Sequence, residues 1–344
     1  MTDQGLIARW VEDGTLLGGL ARGLSRRAYP IVSRFEEICF GEGAPAFPPL
    51  FIVGLPRAGT TLVYQAICHA LQVSFVPELN AYLPVAPALT SWAAQIAGSD
   101  YKSSFTSHYG SSPGLTSPSE GLIWNLWFEK NRHYDDTSDL APGIARAIRG
   151  TVGRIERIGR GLFVSKNLRN DNRVRCLAHL FPHALFLVVV RRPSDVATSL
   201  MVGRSAMAGS IDSWFSIRPR NYPALRDEPP AVQVAGQIAG LLRDLEDDIE
   251  AVGDSRFALV AYEDFCSRPG RFLDELIDFI AGSATPPARR HDLPEAYDLP
   301  SPRPSALDDT LRAALDEAVA SSESDSRMAG MPGTWLAKCG ARTT

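Results

Sequence analysis

The sequence has no apolar run approaching the roughly 18 residues that a membrane span requires; its longest strong one covers residues 185–190. Five cysteines (Cys39, Cys68, Cys176, Cys266 and Cys339) are scattered without Cys-x-x-Cys spacing, a usage that fits a reducing compartment and argues against structural zinc. There is no excess of positive charge. With 35 basic and 39 acidic residues the formal charge is −4, so bulk electrostatic binding to nucleic acid is excluded and any basic site must be local. Asp3, Arg9, Glu12 and Asp13 near the start lack the layout of a signal peptide. A cytoplasmic protein with no nucleic-acid partner, no membrane span and no metal is expected. At 45% hydrophobic and 22% charged residues, the 344-residue chain is of ordinary globular composition and can bury a sizeable core.

What is present is organised around residues 49–71. The apolar run Leu50-Phe51-Ile52-Val53 stops at Gly54-Leu55-Pro56-Arg57-Ala58-Gly59-Thr60-Thr61, and helical spacing begins at Leu62. Strand, tight loop and helix in that order make an anion cradle: glycines let the backbone bend, and a helix N-terminus presents unpaired N–H groups and its positive dipole end. Arg57 adds a permanent charge, and Thr60 and Thr61 add hydroxyls.

The remaining pattern alternates strands and helices. Strands are expected at 73–76, 161–165, 184–190 and 257–261. Helices are expected at 5–11, 25–39, from 119 through Trp124, Trp127 and Phe128, and at 140–158, 172–180, 194–202, 231–252, 271–280 and 307–320. The fully apolar run 184–190 suits a strand buried on both faces of a parallel sheet. This implies a three-layer α/β fold, a central parallel sheet flanked by helices. Three regions are expected: an N-terminal helical cap over 1–46, an α/β core over 47–282, and a proline-rich linker with a C-terminal tail over 283–344. The polar, glycine-broken segment 99–119 is long enough for a substrate-facing loop.

The cradle resembles a nucleoside-triphosphate P-loop in outline, yet Thr60 stands where that loop needs lysine, and Gly-x-Gly-x-x-Gly is absent. The strand 184–190 ends in Arg191-Arg192 rather than in a carboxylate for magnesium, so its end is a second anion site. A small-molecule kinase with a degenerate loop would have only Glu263 and Asp264 near a strand end.

Pro56-Arg57-Ala58-Gly59-Thr60-Thr61 resembles the 5′-phosphosulfate loop of bacterial sulfotransferases. Arg191-Arg192-Pro193-Ser194-Asp195-Val196-Ala197-Thr198-Ser199 resembles their 3′-phosphate motif, and Lys166-Asn167, Phe181-Pro182 and Tyr262-Glu263-Asp264 fit the same family. The resemblance implies a sulfuryl donor, 3′-phosphoadenosine 5′-phosphosulfate (PAPS), leaving adenosine 3′,5′-bisphosphate. By position, Arg57, Ala58, Gly59, Thr60 and Thr61 would hold the 5′-phosphosulfate, and Arg191 and Ser199 the 3′-phosphate. It also implies a base for the acceptor hydroxyl, with Glu78 leading and His108, Glu120 and Lys166 as weaker candidates, and Arg57 as the cation on the sulfuryl group. His69 reads as packing. The tail Gly330-x-x-Gly333-Thr334-Trp335 resembles a late nucleotide-closing element, which makes Arg327 and Gly330 weaker donor contacts. The implied acceptor is a hydroxyl-bearing small molecule or carbohydrate. A non-catalytic nucleotide-binding relative is the alternative outside enzymology.

Overall fold

In the computed structural model, residues 16–98, 100–106, 112–128, 134–135, 137, 140–299, 307, 309–323 and 337–338 are described. Four parallel strands form the centre: β1 (Leu50–Gly54), β2 (Val164–Lys166), β3 (Leu185–Val190) and β4 (Phe257–Ala261). The two-residue β5 (Ala337–Lys338) closes one edge antiparallel to β4, giving the order β2-β1-β3-β4-β5. Every residue of β1, β2 and β3 is buried, as expected when helices cover both faces of a parallel sheet.

The helices in chain order are α1 (Leu16–Phe40), α2 (Thr60–Ala70), α3 (Pro87–Ala97), α4 (Pro142–Gly159), α5 (Val174–Leu180), α6 (Pro193–Ala208), α7 (Tyr222–Leu225), α8 (Pro230–Val252), α9 (Tyr262–Ser267), α10 (Pro269–Ala281) and α11 (Asp309–Glu323). Phe186 and Phe257 stack across β3 and β4, with ring centroids 4.8 Å apart. Phe51 gathers Trp124, Phe181 and Phe186 around it.

Several elements differ from the sequence pattern. The stretch 73–76 makes a single parallel bridge, Ser74 with Phe163, at the outer edge of β2, because Pro77 cannot extend a ladder. The helix expected from residue 119 is a short 3-10 turn, Leu122–Leu126, which follows a left-handed Gly121 at φ +77°. The aromatic residues there are core: Trp124 is 1% exposed and Trp127 8%. Helix α1 continues through Gly18 and Gly19, two positions costing about 1 kcal/mol each. Packing of its inner face, where Tyr29 meets Trp127 and Glu36 is fully buried, offsets that cost. The helix expected at 5–11 lies outside the described residues. Residues 283–299 form a strap on the core: Arg289 bridges Leu71, Arg290 N donates to Ala70 O at 2.8 Å, and Tyr297 stacks on Phe265.

Strand register positions the chemistry. Gly54 pairs with Val189, Val190 with Ala261, and Ile52 with Lys166, so the carboxyl ends of all four central strands reach one edge. The residues that leave that edge are Leu55 to Thr61, Lys166-Asn167, Arg191-Arg192 and Tyr262-Glu263, and open α/β sheets bind ligands there.

Candidate active site

The first cradle is built by backbone geometry that only a few residue types tolerate. Gly54 leaves β1 at φ +137°, where an added Cβ would sit 2.2 Å from Val189 O. Its N–H donates to the Asp171 carboxylate at 2.9 Å. Arg57 takes φ +69° and Gly59 φ +89°, so the chain coils left-handed immediately before α2. A Cβ on Gly59 would lie 2.0 Å from Cε2 of Tyr262, so the aromatic ring presses against bare backbone there. The opening turn of α2, at Thr60 and Thr61, offers N–H groups with no partner inside the helix, together with the dipole end that favours an anion.

The second cradle opens where β3 ends. Pro193 starts α6, a position at which its missing N–H costs nothing. Arg191 and Arg192 both lie near the Asp195 carboxylate, at 3.6 Å and 3.3 Å, and Arg192 also reaches Glu263 at 3.4 Å. The Arg191 guanidinium sits 5.0 Å from the Tyr262 ring centroid and approaches the carbonyl of Arg57 at 3.4 Å.

The two cradles are tied together. Arg57 Nε donates to Ser199 Oγ at 2.9 Å, and Tyr262 braces both, its ring carrying the Gly59 backbone on one side and Arg191 on another. Burial pushes the Tyr262 phenol far up, with Cys266 adding to the shift and Arg191 opposing it. Tyr262 therefore acts as an apolar wall.

A third group of side chains converges beside the first cradle. Lys166, nearly fully buried at the end of β2, donates to Thr61 Oγ1 at 3.1 Å and pairs with the Glu120 carboxylate. Asn167 Nδ2 donates to Glu120 O at 2.7 Å, which fixes that backbone. Pro77 opposes Pro118 in an antiparallel bridge, with Glu78 N donating to Ser117 O at 2.8 Å. Glu78 and Glu120 thus flank one short pairing. Glu78 Oε1 accepts from Ser112 N at 3.3 Å. Tyr64, buried in α2, has its phenol pushed far up by burial first and then by Cys68, Glu78, Tyr101 and Glu120, so both carboxylates lie within electrostatic reach of one ring.

His69 is held as packing. Its Nδ1 accepts from Ser103 N at 3.2 Å, which leaves Nε2 to donate to Asp292 O, and burial lowers its pKa. His108, Arg327 and Gly330 lie outside the described residues. The remaining site candidates, Arg57 to Thr61, Glu78, Glu120, Lys166, Arg191 and Ser199, gather at the carboxyl edge of the sheet or directly beside it.

Against known proteins, the model described as "Sulfotransferase family" matches residues 48–285. This chain belongs to that sulfotransferase family. A curated member, omega-hydroxy-beta-dihydromenaquinone-9 sulfotransferase Stf3 of Mycobacterium bovis, is 24% identical over 257 residues, covering 68% of this chain and 64% of that one. Its Mycobacterium tuberculosis counterpart matches equally. This chain therefore spans a little under two thirds of the curated relatives it matches. Among solved structures, sulfotransferase STF1 of M. tuberculosis aligns with a TM-score of 0.51 at 13% identity, over 95% of this chain and 93% of that one. Sulfotransferase STF9 of Mycobacterium avium aligns at 0.48 and 15% identity, over 87% and 73%.

As a sulfotransferase fold, the chain adds two residues that pattern reading did not assign to the site, Asp171 and Tyr262. The signal for Tyr262 was its place as the first residue after β4. Asp171 had a weaker one: it lies in the polar run 168–173 that leaves β2, and polar residues at that edge are candidates for holding loops rather than solvent. Asn170, Asp171, Asn172 and Arg173 are in fact all buried.

Proposed function

We propose that this sulfotransferase family member moves a sulfuryl group from PAPS to the hydroxyl of a small apolar acceptor. The observation that carries this reading is the Arg57–Ser199 hydrogen bond, which couples two anion cradles at the ends of adjacent strands. A ligand bearing anionic groups at two separated places suits that pair better than one bearing a single polyphosphate tail. The residues present suit such a donor: a bare Gly59 backbone against Tyr262, helix N-termini at both loops, and arginines able to grip phosphate oxygens bidentately. Arg57, Ala58, Gly59, Thr60 and Thr61 would hold the 5′-phosphosulfate, with Arg191 and Ser199 at the 3′-phosphate. When bound, the donor supplies an activated sulfuryl group.

In this reading Glu78 takes the proton of the acceptor hydroxyl, and Arg57 stabilises charge on the sulfuryl oxygens. A guanidinium stays protonated, so Arg57 acts as a fixed cation and does not give up a proton. Lys166 bridges the 5′ loop and Glu120. That pairing gives Glu120 a structural role, while Glu78 Oε1 accepts from a backbone N–H beside the same cradle. Two further points support the acceptor class. Trp124 and Trp127 are core residues and offer no face for a sugar ring, and the curated relative's name gives a hydroxylated menaquinone derivative as its acceptor.

The test is transfer from labelled PAPS to a panel of isoprenoid alcohols, phenols and sugars. Glu78→Gln is expected to lower kcat about 10²–10³-fold while adenosine 3′,5′-bisphosphate binds as in wild type. Consumption of donor by Glu78→Gln at the wild-type rate would overturn the base assignment. A wild-type protein that binds the bisphosphate but turns over no acceptor would favour the non-catalytic alternative.

A further inference from the structure

Five of the large apolar side chains left exposed among the described residues lie on two adjoining helices, α1 and α3. Ile31 (77%), Phe35 (54%) and Ile38 (72%) recur along α1 at four- and three-residue steps, which places them on one face, opposite the face that buries Tyr29 and Glu36. On α3, Trp92 and Ile96 form the matching exposed pair, 47% and 66% open, while Thr90, Ser91 and Ala94 turn inward. The two helices are joined: Phe40 packs on Trp92 with ring centroids 6.3 Å apart, and the Glu36 carboxylate accepts from Leu89 N at 2.9 Å. Tyr82 and Leu83, also exposed, lie in the chain between Glu78 and α3.

The charge pattern of this side is as uneven as its hydropathy. Residues 79–99 contain no Asp, Glu, Lys, Arg or His, although 22% of the chain is charged and α3 lies at the surface. On α1 the exposed Arg27 and Arg34 share the face of Ile31 and Ile38, Arg34 in an exposed ion pair with Glu37. The nearby acids are occupied: Glu36 is buried, Glu37 pairs with Arg34, and Glu42 pairs with Arg146. Exposed aliphatics and a tryptophan interleaved with arginines make the pattern of a helix lying in a membrane interface. No described helix is long and apolar enough to cross a membrane, so such contact would be peripheral.

We infer that the outer faces of α1 and α3 dock on an anionic lipid surface, from which the site receives its apolar hydroxylated acceptor. The acceptor half of this statement rests on the sulfotransferase reading above. The docking half does not, and it is tested without donor or acceptor. Full-length protein is sedimented with vesicles of three parts phosphatidylcholine to one part phosphatidylglycerol, and with phosphatidylcholine alone. Wild type is expected to pellet with the anionic vesicles, less so at high salt and less so with the neutral ones. The triple variant Ile31→Ser/Phe35→Ser/Ile38→Ser, and separately Trp92→Ser/Ile96→Ser, are expected to reduce partitioning about tenfold or more. Far-UV circular dichroism and the thermal unfolding midpoint report folding of each variant, and thermal stabilisation by adenosine 3′,5′-bisphosphate tests donor binding separately. Wild type remaining in the supernatant, or folded variants pelleting like wild type, would overturn the inference. So would a wild-type dimer that the same substitutions dissociate, since a second copy would then be what covers the face.

Discussion

Asp171 shows how much of the site depends on a side chain that holds the backbone of a loop. Its carboxyl accepts the Gly54 N–H at the point where β1 turns into the first cradle, and removing that acceptor would leave a buried donor unsatisfied at about 1–3 kcal/mol. Burial raises the Asp171 pKa well above the carboxylate range, with Asp248 adding and the Gly54 N–H and Lys166 opposing. The folded state therefore holds this proton more tightly than the unfolded chain does. Its contribution to stability is fully present below the unfolded pKa of about 3.9 and is lost as pH rises toward the folded one. Asp171→Asn keeps an acceptor for Gly54 and cannot ionise, so its stability relative to wild type is expected to improve as pH rises from about 4 to 8. Urea unfolding across that range checks this, and a difference flat with pH would contradict it. Arg57, by contrast, was legible from its place in Pro56-Arg57-Ala58-Gly59-Thr60-Thr61, because a cradle motif is local. Asp171 is marked only weakly, by its place in the polar run 168–173 after β2, because its partner Gly54 is far away in sequence.

At the scale of elements, the strands ending at Gly54, Val190 and Ala261 were readable because each is a short apolar run cut off by glycine, arginine or a polar cluster. Helix α3 was not, since a segment without charge has no polar face against which periodicity can show. The strap 283–299 misleads for another reason. Proline-rich composition signals a lack of regular hydrogen bonding, which says nothing about whether the chain is pinned by a few contacts. Tyr297 is such a pin: its ring stacks on Phe265, its edge meets Phe105, and its N–H donates to Cys266 O at 2.8 Å. The ring is half-buried, so Tyr297→Ala is expected to cost about 2 kcal/mol, below the range for a fully buried aromatic. Among the described residues its enclosed hydroxyl has no hydrogen-bond partner, so Tyr297→Phe is expected to be neutral or slightly stabilising. Chemical denaturation of the two variants separates a docked strap from a loose linker, because a loose linker would make both substitutions silent.

Across the whole molecule, strand order and register bring distant residues to one edge: the loop after β1, the lysine ending β2, the arginines after β3 and the tyrosine after β4. The sheet supplies the spacing between two anion cradles, and the Arg57–Ser199 and Tyr262 contacts hold that spacing rigid. The central claim is that this spacing selects a nucleotide phosphorylated at both the 5′ and 3′ positions. Titration calorimetry in chelator, comparing adenosine 3′,5′-bisphosphate with adenosine 5′-monophosphate on wild type and Arg191→Ala, tests it most directly. A charge-assisted phosphate contact contributes about 1.5–3 kcal/mol. Wild type should therefore prefer the bisphosphate by roughly ten- to a hundredfold, and Arg191→Ala should lose most of that preference. Equal affinity of wild type for the two nucleotides, or tighter binding of ATP with magnesium than of the bisphosphate, would contradict the account.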